Sequence, residues 1–79
     1  MQLAIIKGVG FGCKDVGRCI LWFSTYVEEG VAALQVFEYI RAKEIIEEYQ
    51  VRDVHDLEGK VCWVEVNRNT IDFIKPAII

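Results

Sequence analysis

Nine consecutive residues, Cys19-Ile20-Leu21-Trp22-Phe23-Ser24-Thr25-Tyr26-Val27, carry large apolar or aromatic side chains at six positions. Read as a strand, the segment places Leu21, Phe23 and Val27 on one face and Ile20, Trp22 and Tyr26 on the other, because successive side chains alternate across a sheet. A chain of 79 residues has material for one core. The second apolar face therefore has to meet a helix, another subunit or a partner, since an exposed aromatic patch marks an interaction site more often than idle surface.

The rest of the chain is punctuated around this strand. Leu3 to Phe11 reads as a first strand, with Leu3, Ile5, Val9 and Phe11 on one side and Ala4, Ile6, Gly8 and Gly10 on the other. Gly8, Gly10 and Gly12 alternate there, and the expected reason is a bulge or the close approach of a neighbouring group. A dinucleotide cradle needs a different spacing and a following helix. Cys13-Lys14-Asp15-Val16-Gly17-Arg18 reads instead as a polar connection into strand two, Cys19 to Glu28.

Glu29-Gly30 then reverses the chain into Val31 to Phe37, where Ala32, Leu34 and Val36 share one face and Ala33, Gln35 and Phe37 the other. A helix is predicted from Tyr39 to Tyr49, with Ala42, Ile45, Ile46 and Tyr49 on its buried stripe. Residues 51–60 predict a short helical turn capped by Asp53, anchored by Val54 and Leu57 and ended by Gly59. Val61 to Val66 and Ile71 to Ile74 make the last two strands, joined by Asn67-Arg68-Asn69-Thr70, and Pro76 ends the second or holds it at an edge. The order β-β-β-α-β-β predicts a single α+β domain over residues 1–79. It is an antiparallel sheet of about five strands with one helix packed on it, or plugging an open barrel.

The chemistry-bearing residues are few. His55 is the one histidine and its neighbours Asp53, Asp56 and Glu58 diverge around a turn, so no metal site is expected. Ser24 lies in mid-strand, without the sharp turn that presents a nucleophile. Cys13, Cys19 and Cys62 fit no zinc or redox spacing, and three cysteines do not all pair internally, so reduced thiols are expected. These readings predict a non-enzymatic protein with no cofactor.

Formal charge is −3, and the excess of acid lies in the second half. Between Glu44 and Glu58 six acids (Glu44, Glu47, Glu48, Asp53, Asp56, Glu58) face only Arg52. Such a ridge disfavours direct contact with a phosphate backbone and suits a basic protein surface. Two candidate binding surfaces follow: the acidic residues Glu44, Glu47 and Glu48, and an aromatic group formed by Trp22, Tyr26, Phe37 and Trp63 on the sheet face away from the helix. At 53% hydrophobic the chain is rich for its length, which favours a protein partner or a homo-oligomer, a dimer first. Neither a secretory leader nor a membrane span is expected, and the compartment expected is a cytoplasm.

Gly10-Phe11-Gly12-Cys13-Lys14-Asp15-Val16-Gly17-Arg18, Leu21-Trp22-Phe23, Leu34-Gln35-Val36-Phe37 and Asp53-Val54-His55-Asp56-Leu57-Glu58-Gly59-Lys60 resemble small uncharacterised proteins of bacterial phages and prophages. Leu57-Glu58-Gly59-Lys60 is the recurrent part, as a structural turn. The resemblance implies a phage accessory product acting in the host cytoplasm, of the kind that inhibits host defences by binding a CRISPR effector or another immune protein. Two other functions stay open: an oligomeric sponge for a nucleotide signal, its pocket lined by Trp22 or Trp63, and a structural phage subunit.

Overall fold

The alternation and punctuation of the chain resolve into five strands and one α-helix in a computed structural model that describes residues 1–15, 17–28 and 30–78. Strands β1 (Gln2–Asp15), β2 (Arg18–Glu28) and β3 (Val31–Glu38) precede helix α1 (Tyr39–Tyr49), a one-turn 3₁₀ helix (Val54–Leu57), and strands β4 (Val61–Val66) and β5 (Ile71–Pro76). The order and the α+β class are those expected from the sequence. Val16 of the first connection and Glu29 of the Glu29-Gly30 reversal lie outside the described residues.

All pairings are antiparallel, and the sheet runs β3-β2-β1-β4-β5. Three hairpin-linked strands followed by a fourth that returns beside the first is a Greek key. The sheet then curls until its two edge strands face one another. Gln35 of β3 spans the gap: its Nε2 donates to the Ile71 carbonyl at 2.6 Å, and the Phe73 N–H donates to its Oε1 at 3.4 Å. One side chain thereby stands in for a backbone ladder, giving a partly open five-stranded barrel.

β1 is long enough to serve both halves of the curl because it bends at a bulge. Lys7 opposes Ser24 but Gly10 opposes Trp22, so Gly8 and Val9 together stand against Phe23. Gly8 takes φ +68°, a conformation that costs an L side chain. The extra residue reverses the strand's phase. Ala4 and Ile6 point inward before it and Val9 packs on the core after it, while Leu3 and Ile5 point outward. The single-phase reading of β1, with Val9 on the side of Leu3 and Ile5, fails at this bulge.

The Leu57-Glu58-Gly59-Lys60 turn holds the bend. Glu58 Oε2 and Oε1 accept from the Gly8 and Val9 N–H groups at 3.0 and 3.1 Å. Gly59 N–H donates to the Ile6 carbonyl and Ile6 N–H to the Lys60 carbonyl, both at 2.8 Å. Leu57 is fully buried beneath them. Upstream, Asp53 Oδ1 accepts from His55 N–H at 2.8 Å and Asp53 N–H donates to Asp56 Oδ2 at 3.4 Å, the reciprocal cap of a helical turn.

Ala4, Ile6, Leu21, Phe23, Ala42, Ile45, Leu57, Cys62 and Val64 form the core. Helix α1 buries Ala42 and Ile45 into it, and the Tyr49 hydroxyl donates to the Val61 carbonyl. Phe23, Phe37 and Phe73 meet with ring centroids 5.2–5.6 Å apart, joining β2, β3 and β5 inside the curl.

Candidate protein-binding surface

The outward residues of β1, β2 and β3 stand in register across the sheet. Ile5 opposes Tyr26, which opposes Ala32; Ser24 opposes Leu34; Trp22 opposes Val36. Leu34 is 63% exposed, Val36 56%, Ile5 43% and Tyr26 38%. These four apolar side chains make a continuous face that no element among the described residues covers, and β-branched and aromatic residues here follow from strand propensity on both sides of the sheet. Lys7 Nζ lies 5.4 Å from the centre of the Tyr26 ring, placing a cation within the face.

Trp22 borders this face and is half-buried against its own sheet. Its indole lies over β1, so that a Cβ on Gly10 would stand 2.2 Å from Cε2, and one on Gly12 3.6 Å from Cη2. The alternating glycines are thus the seat of a tryptophan. Both expected reasons for them hold, the bulge at Gly8 and the close approach at Gly10.

The expected aromatic group does not assemble. Phe37 points inward, in the phenylalanine cluster, and is removed from the candidate surface. The grouping of Ala33, Gln35 and Phe37 on one face of β3 is right, but that face looks into the barrel. Trp63 is half-buried on β4, opposite Leu3 on one side and Lys75 on the other, with β1 between it and Tyr26. Of the four aromatics, Trp22 and Tyr26 share a strand face. Leu34, Val36 and Ile5 are the exposed apolar residues of this face that sequence reasoning did not single out, although Leu34 and Val36 opposite Phe37 give β3 the same two-faced pattern as β2.

The acidic ridge is reshaped by the helix that carries it. Arg41 Nη1 lies 3.5 Å from Glu48 Oε1 and 3.9 Å from Glu44 Oε1, and Lys43 Nζ 4.0 Å from Glu47 Oε1. Arg41 and Lys43 precede the window of residues 44–58, yet one helical turn brings them beside its acids. Asp53 and Asp56 cap the 3₁₀ turn and Glu58 holds the bulge. Arg41 and Lys43 thus stand with Arg52 against the six acids, while Asp53, Asp56 and Glu58 also accept from backbone N–H groups.

Cys13 and Cys19 are joined in a disulfide, which corrects the expectation of three reduced thiols. Cys62 is free and buried, and burial pushes its thiol up to about 11. His55 is exposed; its Nδ1 lies 2.9 Å from Asp53 Oδ1. The Asp53 carboxyl is held below its ordinary range, first by the backbone N–H of His55 and then by the ring. Among the described residues no group of three or more His, Cys, Asp or Glu side chains is arranged to hold a metal ion, and no helix is long and apolar enough to cross a membrane. Comparisons with protein-family models, curated proteins and solved structures find no match for this chain.

Proposed function

We propose that this chain is a non-enzymatic protein-binding module that docks through the outer face of β1, β2 and β3. The observation that carries the reading is the register of Ile5, Tyr26, Leu34 and Val36, which sets four exposed apolar side chains side by side on a rigid sheet. Such a face supplies the desolvated centre of an interface, and Lys7 within it and Glu38 at its edge supply polar contacts. The resemblance to phage accessory proteins makes a bacterial immune effector, such as a CRISPR complex, the partner class to try first.

The test is a phage-restriction assay in cells that carry a defence system and express this chain. Protection of the phage is expected to disappear with Leu34→Glu plus Val36→Glu and to survive Glu47→Lys plus Glu48→Lys. The opposite pattern would move the site to the helix and restore the acidic surface. Light scattering on the same variants reads the homo-oligomer alternative: a dimer that dissociates with Leu34→Glu means that a second copy occupies the face.

The barrel architecture and the outward Trp22 and Tyr26 favour a second reading, stacking of single-stranded nucleic acid. Net charge argues against it, because such grooves are basic. Fluorescence titration with oligonucleotides at low salt decides between them, and no quenching of Trp22 is expected.

A further inference from the structure

Cys13 and Cys19 oppose one another directly in the β1–β2 register, between the rungs Gly12↔Ile20 and Asp15↔Arg18. The strands are therefore already aligned on both sides of the bond by their own ladder. A covalent link six residues apart in sequence also closes a short loop, which constrains the unfolded chain least. As a structural staple it is largely redundant. As a chemical group it is accessible, since Cys13 is exposed and Cys19 half-buried.

The third sulfur is kept out of reach. Cys62 is fully buried on β4 among core residues, and its raised thiol pKa leaves little thiolate at neutral pH. The fold thus separates an exposed sulfur pair held in register from a buried thiol that stays protonated at neutral pH.

We propose that Cys13–Cys19 is a reversible thiol–disulfide exchange site whose co-substrate is an external thiol, either a small-molecule thiol or a protein dithiol. The external thiolate attacks the Cys13 sulfur, a new sulfur–sulfur bond forms, the Cys13–Cys19 bond breaks, and its electron pair leaves on the Cys19 thiolate. A second external thiolate attacks the external sulfur of this mixed disulfide and releases Cys13 as thiolate. Two external thiols become one disulfide, Cys13 and Cys19 gain two electrons, and each takes a proton from water. Because the ladder persists through both steps, the reduced pair stays in register and the reverse reaction closes it again. Arg18, beside Cys19, forms an ion pair with Glu38 at 2.8 Å, so the hairpin end remains tied to the start of α1 while the bond is open.

The experiment uses the whole chain, glutathione buffers of varied reduced-to-oxidised ratio, and alkylation followed by mass measurement. In reduced glutathione, without denaturant, two alkyl groups are expected, on Cys13 and Cys19, with Cys62 labelled only after unfolding. Return to oxidised glutathione should remove both labelling sites. Cys19→Ser, folded by circular dichroism, should hold the mixed disulfide of the first step as one glutathione on Cys13 when offered oxidised glutathione. A bond that opens only in denaturant would make the disulfide a structural staple and overturn the proposal. So would a pair that stays as thiols in oxidised glutathione, or a folded Cys19→Ser chain that takes up no glutathione on Cys13. Replacing glutathione with a reduced protein dithiol separates the two sources: reduction by both is exchange with thiols in general, and reduction by the dithiol alone names a protein partner.

Discussion

At Gly10 the missing side chain decides where a tryptophan sits. A methyl group there would stand 2.2 Å from the Trp22 ring carbon Cε2, an overlap that only movement of the indole or of β1 relieves. Gly10→Ala is expected to cost about 1–3 kcal/mol, the usual penalty of forced overpacking, and to shift Trp22 emission to the red as the ring lifts into water. Gly12→Ala meets the same indole at 3.6 Å, an ordinary contact, and is expected to leave both melting temperature and emission nearly unchanged. Equal effects of the two substitutions would mean that the ring does not rest on Gly10. A second residue-scale dependence lies at Glu58, whose carboxylate takes both N–H groups of the bulge. Glu58→Ala is expected to cost about 1–2 kcal/mol, at the low end for bonds to a charged acceptor because water reaches the site. Amide exchange of Gly8 and Val9 should quicken while that of Ile6, bonded to Lys60, holds.

Between elements, the least redundant junction is the seam of β3 and β5, which rests on the Gln35 amide. Gln35 Nε2 also lies 3.3 Å from Thr25 Oγ1, whose hydroxyl donates to the Ala33 carbonyl, so the buried threonine is satisfied through the same side chain. Arg41 covers the next part of the β5 edge, donating from Nη2 to the Ile74 carbonyl at 3.3 Å with its guanidinium 5.7 Å from the Phe73 ring centre. These side chains blunt two strand edges that would otherwise be templates for intermolecular pairing. Gln35→Ala removes the partners of Ile71 O and Phe73 N and is expected to cost about 2 kcal/mol in urea unfolding. Light scattering on warming should also show association below the melting point of the parent chain.

The seam shows where sequence reasoning stops. Hairpins, helix and capped turn are local, written in Gly30, in the Ala42-Ile45-Ile46-Tyr49 stripe and in Asp53, and they were legible. Side-chain parity was legible too, down to Ala33, Gln35 and Phe37 sharing a face. Which face looks inward depends on how the whole sheet curls, and a lone glutamine between apolar neighbours carries no mark of that closure. The β1 phase change and the Cys13–Cys19 bond were hidden for related reasons. A bulge is a property of two strands at once, and the bond depends on a register that the chain spacing of its cysteines does not display. The partners of the acidic residues were hidden because linear windows ignore the helical turn that returns Arg41 and Lys43 to Glu44, Glu47 and Glu48.

For the molecule as a whole, the buried ionisable groups make stability a function of pH on the alkaline side. Burial raises the Cys62 thiol from 9.0 to about 11, and burial first, then the nearby Cys62, raises the Tyr49 phenol. Both groups are neutral when protonated, so their folded-state pKa values lie above the unfolded ones and the unfolded chain loses its protons first. The stability they support is complete below the unfolded value and falls as pH rises, from about 9 to about 11 for Cys62. In full, the Cys62 share is about 3 kcal/mol, two pKa units at about 1.4 each. Urea unfolding at pH 8 and pH 11 should therefore show a loss that exceeds what Cys62→Ala shows over the same interval. The variant begins from a lower stability but has a shallower alkaline slope, the remainder being carried by Tyr49. Equal slopes for the two chains would place Cys62 in contact with water and remove the ground for treating it as the sulfur that stays out of thiol exchange.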